Sequence, residues 1–169
     1  MQSNLRATVA VAAQFVLASS FFAAAGERTV SPELIAELHH WIDTATDLPV
    51  ADAPASIVFA SSSDIAEPSE MAALIGGVPR GLYDQGTGTV TLVLPWSEEN
   101  PQDVAVLLHE LVHHRQMGRH FYCEAAKEHA AYKLQRDWLA EQNVTLSVNW
   151  LAVVLASSCA SRDFHPMPD

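Results

Sequence analysis

The stretch from residue 101 to residue 117 restricts the fold of this chain more than any other feature. Asn100-Pro101 provides an N-cap followed by proline at the first helical position, and Gly118 is a typical residue after a helix end. The stretch therefore predicts a helix over residues 101–117. Its apolar side chains cover most of the helix circumference: Val104, Ala105, Leu107, Leu108, Leu111 and Val112. Because a helix that is apolar on nearly every side is buried, the rest of the domain must pack around this one.

The remaining arc of this helix is polar and holds Gln102, His109, Glu110 and His113. His109 and His113 are one turn apart on the same face, so both imidazoles can bind one metal ion. Glu110 lies at the edge of this face, where its carboxylate can take a proton from an attacking water molecule. Since buried polar groups need partners, ionisable residues on this arc indicate a cleft rather than a solvated surface.

A third metal ligand is expected on the next helix, which the sequence predicts over residues 123–139. Glu124, Glu128 and Gln135 fall on or beside its apolar face. Carboxylates on a core-facing stripe are costly unless they are paired or bind a cation. Both glutamates fall where they can share an ion with the two histidines of the preceding helix.

These residues resemble the zincin metallopeptidases, in the gluzincin arrangement of His-Glu-x-x-His on one helix and a glutamate on the next. The resemblance covers about residues 83–139 and includes Thr89–Leu94 as an edge strand. It implies a minimal zincin-like α+β domain. In such a domain a small sheet packs its edge strand on the active-site helix, and a ligand helix follows.

The resemblance also implies the metal ligands. Glu128 matches the glutamate position of the gluzincin ligand helix. His109, His113 and Glu128 are therefore expected to bind Zn²⁺ and to leave one position for water. Glu124, one turn earlier, and His120, since metzincin-like zincins use a later histidine, are the alternatives to Glu128.

Further residues are expected around the reacting group. Glu110 is the expected general base, which moves a proton from the attacking water to the leaving amine. Tyr132 is a candidate donor to the oxyanion, and a packed core tyrosine is the competing interpretation. Gln135 is expected to orient a ligand, and the edge strand to hold a peptide by strand addition. His114 and His129 point away from the metal face and are expected at the surface.

The first 25 residues predict a secretory signal peptide. Residues 7–25 are almost wholly apolar or small, and Ala23-Ala24-Ala25 supplies the small residues that a signal peptidase reads. The mature domain is then expected to comprise residues 26–169, to be secreted or periplasmic, and to have no stable membrane insertion. An uncleaved membrane anchor is the alternative, because the apolar run approaches the length that a bilayer needs.

Cys123 and Cys159 both lie in the expected mature domain. In an exported protein two thiols usually form one disulfide, which here would close a loop of about 35 residues. Two buried thiols in a reducing compartment are the alternative. Neither cysteine belongs to a C-x-x-C pair, so the spacing does not indicate a metal site.

The charge argues against a nucleic-acid partner. The chain has 169 residues, with 9 Lys plus Arg against 20 Asp plus Glu, and a formal net charge of −11. Such a surface repels phosphate backbones. The expected function is an exported zinc-dependent metallopeptidase that acts on a peptide or protein. The alternative is a non-catalytic metal-binding or protein-interaction module, against which the intact Glu110 argues.

Overall fold

The computed structural model describes residues 28–66, 70–76, 78–123 and 125–158. The described residues form five α-helices, one short 3₁₀ helix over Ser62–Asp64 and a three-stranded sheet. In chain order the elements are α1 (Pro32–Ala45), β1 (Ser56–Ala60), α2 (Glu70–Gly76), β2 (Gly81–Asp84), β3 (Thr89–Val93), α3 (Pro101–Gln116), α4 (Ala126–Glu141) and α5 (Trp150–Ala156). This arrangement confirms the predicted α+β class.

Helix α3 forms the centre of the core, as its sequence predicts. The side chain of Asn100 caps it by accepting a hydrogen bond from the backbone N–H of Gln102, and Pro101 opens the helix. All six apolar residues of its predicted buried surface are buried. Most other members of the core come from α1, the sheet and α4, among them Leu38, Leu92 and Leu139. Burying one such leucine contributes about 1.5–3 kcal/mol, so the packing around α3 is the main source of stability.

The sheet has the order β1-β3-β2, with β1 parallel and β2 antiparallel to β3. The prediction that Thr89–Leu94 is an edge strand is therefore wrong, because both edges of β3 are paired. Val90, Leu92 and Val93 are buried, as befits a central strand. The edge strand beside α3 is β2. Its four residues include a glycine and an aspartate, and such a short segment gives no recognisable strand pattern.

A smaller apolar cluster lies between α2, α4 and α5. Its buried members are Ile75, Ala152 and Val153, with Tyr132 and Val148 among the residues that pack against them. The apolar run from Leu146 to Ser158 predicts a longer closing helix, with four large side chains in the core: Trp150, Leu151, Val154 and Leu155. In the structure three of those four side chains are exposed: Leu151, Val154 and Leu155. The two smaller residues Ala152 and Val153 face inward instead, because α5 packs closely on α2.

Three predictions concern residues outside the described part of the chain. The signal peptide over residues 1–25, the alternative ligand Glu124 and the disulfide partner Cys159 all lie there. These three stay predictions. Within the described ranges, no helix combines the length and the hydropathy that a membrane span needs.

Candidate metal centre

Helices α3 and α4 form a hairpin that places the polar arc of α3 against the beginning of α4. Gln116, at the end of α3, donates from its side-chain amide to the carbonyl of Lys127 over 3.1 Å. Earlier in α3, His109 contacts Gln135, which lies two turns further along α4, over 3.2 Å. The two helices therefore run in opposite directions. Glu128, in the first turn of α4, lies opposite His113.

Three potential metal ligands converge in this hairpin. The Nε2 atoms of His109 and His113 are 3.0 Å apart. Glu128 places one carboxylate oxygen 3.4 Å from His109 Nε2 and the other 3.3 Å from His113 Nε2. Zinc–ligand bonds of 2.0–2.1 Å in tetrahedral geometry separate neighbouring ligand atoms by about 3.3 Å. The spacing of the three side chains therefore fits a single zinc ion.

The hydrogen bonds of the two imidazoles decide which nitrogen faces the site. Gln116 donates its amide N–H to Lys127, so its Oε1 is left to accept from His113 Nδ1, 2.9 Å away. Gln135 Oε1 lies 3.2 Å from His109 Nδ1 in the same way. With both Nδ1 atoms acting as donors, two Nε2 lone pairs face each other across 3.0 Å. Two acceptors so close need a cation between them, which is the chemistry of a metal site.

Electrostatics favour an ionised glutamate in this position. Burial alone raises the pKa of Glu128, but hydrogen bonds and charges from His109 and His113 outweigh it and hold the pKa far below its usual range. Burial lowers the pKa of His113, yet the carboxylate of Glu128 more than compensates and raises it. In the metal-free site the carboxylate of Glu128 therefore favours a proton on the His113 imidazole. A metal ion has to displace that proton in order to bind.

Glu110 lies beside the three ligands but outside their hydrogen bonds. It is buried, at 6% exposure, and it lines the same cleft as the three potential ligands. Burial raises the pKa of Glu110 and outweighs the charges of His109 and His113, which lower it. A raised pKa suits a carboxylate that accepts and releases a proton near neutral pH.

Strand β2 passes directly over Glu110 at a glycine. A Cβ atom on Gly81 would lie 2.7 Å from Glu110 Oε1 and 2.6 Å from Val106 Cγ1. Contacts this short do not occur between real side chains, so only glycine allows the strand to approach so closely. At the other end of β2, the hydroxyl of Tyr83 bonds His114 Nδ1 over 2.9 Å and holds the strand on α3.

The outer edge of β2 presents free backbone groups beside the site. The carbonyl of Arg80 accepts a hydrogen bond from the N–H of Val93, 2.9 Å away. Because antiparallel pairs alternate, the backbone groups of Gly81 and Tyr83 point to the opposite edge. No strand of the described residues pairs with that edge. The prediction that an edge strand holds a peptide therefore applies to β2 and not to β3.

A cleft of about 630 Å³ opens between β2 on one side and α2, α4 and the segment before α5 on the other. The three ligands and Glu110 line it. Tyr132 lines it too, with its ring edge-on to the His109 imidazole at a centroid distance of 4.5 Å. Burial, helped by the charges of Glu128 and Glu110, raises the pKa of Tyr132 to about 12, so its hydroxyl stays a proton donor. Tyr132 also packs on the smaller apolar cluster, so both interpretations of this residue keep support.

The other histidines and one further glutamine agree with the predictions only in part. His120 is exposed, contacts the Tyr122 ring edge-on and lies outside the group of potential ligands, and His129 is exposed as predicted. His114 was expected at the surface but is buried, because its Nε2 bonds the carbonyl of Ala53 over 2.8 Å. Gln116 has no predicted role, although it contacts His113. Its spacing from His109 and His113, at i+7 and i+3, is the signal that places it on the same face.

Comparison with known proteins gives a family and no described activity. The sequence model of a family described as "Domain of unknown function (DUF6647)" matches residues 27–167. No curated protein and no solved structure matches the chain.

Proposed function

The chain belongs to the DUF6647 family, and we propose that it is a zinc-dependent metallopeptidase with its active site in the cleft between β2 and the α3–α4 hairpin. One observation carries the proposal. Two imidazole Nε2 atoms and a carboxylate converge within 4.8 Å of one another, beside a buried glutamate that lines the same cleft. A structural metal site has no use for such a base.

His109, His113 and Glu128 would hold the metal. Three protein ligands leave a coordination position open, which distinguishes catalytic zinc sites from closed structural ones. When bound, Zn²⁺ supplies a Lewis acid that polarises a carbonyl and lowers the pKa of water to about 7.

Glu110 would move the proton in this reaction. Its carboxylate takes the proton of the attacking water and gives it to the amine that leaves when the peptide bond breaks. The burial that raises its pKa keeps the proton available for the second transfer. The Tyr132 hydroxyl lies in the same cleft and would donate a hydrogen bond to the oxyanion.

The open edge of β2 would bind the substrate as an added strand. The backbone groups of Gly81 and Tyr83 provide hydrogen bonds that do not depend on substrate sequence. Gly81 lies against Glu110, so a peptide paired with this edge passes the base. The substrate class proposed is therefore an extended polypeptide segment. Export of the mature protein by a signal peptide stays part of the proposal.

The test combines metal content with turnover. We expect the purified protein to contain about one zinc per chain and to cleave a generic peptide substrate. Glu110→Gln should keep the zinc and lose activity by about 100-fold or more. Glu99→Gln, the same change at an exposed position, is the matched control and should alter neither quantity.

Three results would contradict the proposal or the role given to Glu110. A protein that holds zinc but cleaves no peptide would be the non-catalytic metal-binding module. Equal activity in Glu110→Gln and in the wild type would remove the base from the mechanism. Loss of zinc from Glu110→Gln would instead make this carboxylate a ligand.

A further inference from the structure

We propose that Gln116 is a positioning residue that fixes both halves of the metal centre, His113 on α3 and Glu128 on α4, relative to each other. This inference rests on the metal site of the proposed function, but not on peptidase activity. It assigns a role to a residue that lies outside the ligand set and outside the cleft lining.

The contacts of Gln116 reach both ligand helices at once. Its Oε1 lies 2.9 Å from His113 Nδ1, and its Nε2 lies 3.1 Å from the carbonyl oxygen of Lys127. That carbonyl belongs to the peptide group that joins Lys127 to Glu128. One side chain therefore connects the imidazole of one ligand to the backbone of another.

Burial indicates that the amide is required there. Gln116 is fully buried at 0% exposure, among the largest side chains of the core. A buried amide is costly unless its donor and its acceptor are both satisfied, and an apolar side chain of similar size avoids that cost. Here both groups are satisfied, and each partner lies at the metal centre.

An amide also suits this position better than a carboxylate. A glutamate at residue 116 can accept from His113 Nδ1 but turns its second oxygen toward the Lys127 carbonyl. Unlike a carboxylate, an amide donates through its nitrogen and accepts through its oxygen. The Lys127 carbonyl needs a donor, so the amide nitrogen faces it and the amide oxygen faces His113. Gln116 thereby fixes Nε2 as the ligand atom of His113.

Gln135 serves as the internal comparison. It bonds His109 Nδ1 over 3.2 Å and is itself a residue of α4, further along the helix than Glu128. It orients one imidazole, whereas Gln116 orients an imidazole and holds the turn that carries Glu128. The two glutamines should therefore differ in their coupling to Glu128.

The experiment measures zinc affinity by competition with a chelator, together with the absorption spectrum of the cobalt-substituted protein. We expect Gln116→Leu to lower zinc affinity by about 10–100-fold, the usual effect of losing an outer hydrogen-bond partner of a ligand. Gln116→Glu, which keeps the size and the acceptor, should also lower it and should shift the cobalt spectrum. Circular dichroism and thermal unfolding of the metal-free variants report whether they are folded.

A double-mutant cycle separates positioning from general stability. If Gln116 acts through Glu128, Gln116→Leu should lower affinity several-fold less in a Glu128→Ala background than in the wild type. Gln135→Leu should lower affinity by the same factor in both backgrounds. An equal loss for Gln116→Leu in both, or wild-type affinity in folded Gln116→Leu and Gln116→Glu, would overturn the inference. Because zinc binding is the readout, a protein that binds zinc in this pattern without cleaving peptides would contradict the proposed function alone.

Discussion

Helix α3 contributes to two groups of polar residues, and they are built in opposite ways. At its C-terminal end Arg115 is 2% exposed and donates to Asp43 over 2.5 Å and to the carbonyls of Leu48 and Pro49. Beside it, His114 bonds a hydroxyl on one nitrogen and a carbonyl on the other. This group, which we call the anchor group, consists of His114 and Arg115, and its ring and guanidinium nitrogens are paired with oxygen partners.

The cleft group, formed by His109, Glu110, His113 and Glu128, has the opposite composition. Its atoms at the centre of the site are acceptors that face one another across 3.0–3.4 Å. Both groups contain buried polar residues, so burial alone does not distinguish them. The convergence of acceptors does, because a proton or a metal ion has to lie between them.

The largest effect is expected from the anchor group. Arg115→Met should lower the free energy of unfolding by about 3–4 kcal/mol, because the carbonyls of the segment after α1 lose their donor inside the protein. Zinc affinity of the folded variant should stay within about twofold of the wild type. Chemical denaturation and zinc titration measure the two quantities.

Arg136→Met is the control for this change. Its guanidinium pairs with Asp137 at 46% exposure, so the loss should be below about 1 kcal/mol. A strong loss of zinc from folded Arg115→Met would contradict the separation of the two groups.

The predicted disulfide, like the anchor group, is expected to affect stability and not zinc binding. Replacing Cys123 and Cys159 by serine should lower the free energy of unfolding by about 2–4 kcal/mol and leave zinc binding to the folded protein intact. Mass spectrometry under non-reducing conditions tests the bond itself. If the double variant folds but loses zinc, a thiol is a ligand and the spacing argument is wrong.

The cleft group should respond in affinity rather than in stability. Glu128→Ala should weaken zinc binding by more than about 100-fold, since losing an outer partner of a ligand alone costs about 10–100-fold. Glu124→Ala is the control one turn earlier. If Glu124→Ala loses zinc and Glu128→Ala keeps it, the third ligand is Glu124, one turn earlier than assigned.

Gly81→Ala tests the close approach of β2 to the cleft group. The added methyl must displace Glu110 or the strand, at a cost of about 1–3 kcal/mol, and kcat should fall by about 10-fold or more while zinc is retained. Gly76→Ala is the matched control. Gly76 lines the opposite wall of the cleft, where a Cβ would make an ordinary 3.9 Å contact. Equal kinetics for the two variants would show that Glu110 tolerates the methyl group.

The smallest effect is expected in the pH dependence of stability of the metal-free protein. Here His39 of α1, which lies near Arg115 and His114 of the anchor group, is compared with His113 of the cleft group. Burial, with Arg115 and His114 nearby, lowers the pKa of His39, so folding loses stability as the pH falls below 6.5. The pKa of His113 is raised, so its contribution is complete below 6.5 and is lost as the pH rises through the raised value. The free energy of unfolding should be measured between about pH 5 and 9. In His39→Phe it should no longer fall toward acid pH, and in Glu128→Gln it should no longer fall toward alkaline pH. Unchanged slopes would contradict these assignments.

The elements that the sequence predicted well are those with a local pattern. The cap at Asn100, the apolar positions of α3 and the spacing of His109 and His113 depend on a few neighbouring residues, and the helix differs from its prediction by one residue. The unusual carboxylates on an apolar helix face pointed to both Glu124 and Glu128, and the resemblance to gluzincins chose Glu128. Apart from that choice, each of these signals needs only the geometry of one helix.

The features that were missed depend on contacts between distant segments. Strand β2 is four residues long and becomes a strand through β3 and Tyr83, which no local pattern reveals. The burial of His114 depends on Ala53, 61 positions earlier in the chain. Gln116 looked like an ordinary residue at a helix end, because the Lys127 carbonyl that it bonds is positioned only when the hairpin closes.

The closeness of the ligands along the chain has a consequence for how the site assembles. His109 and Glu128 are 19 positions apart, and both glutamines that orient the imidazoles belong to the same hairpin. The entropy of closing a loop grows only with the logarithm of its length, and closing such a short loop takes well under a millisecond. The ligand set can thus meet as soon as two consecutive helices form, before the sheet pairs β1 with β3 across some thirty residues. A metal ion that arrives at that stage would favour the hairpin over the unfolded chain, so metal supply would influence the yield of folded protein as well as its activity.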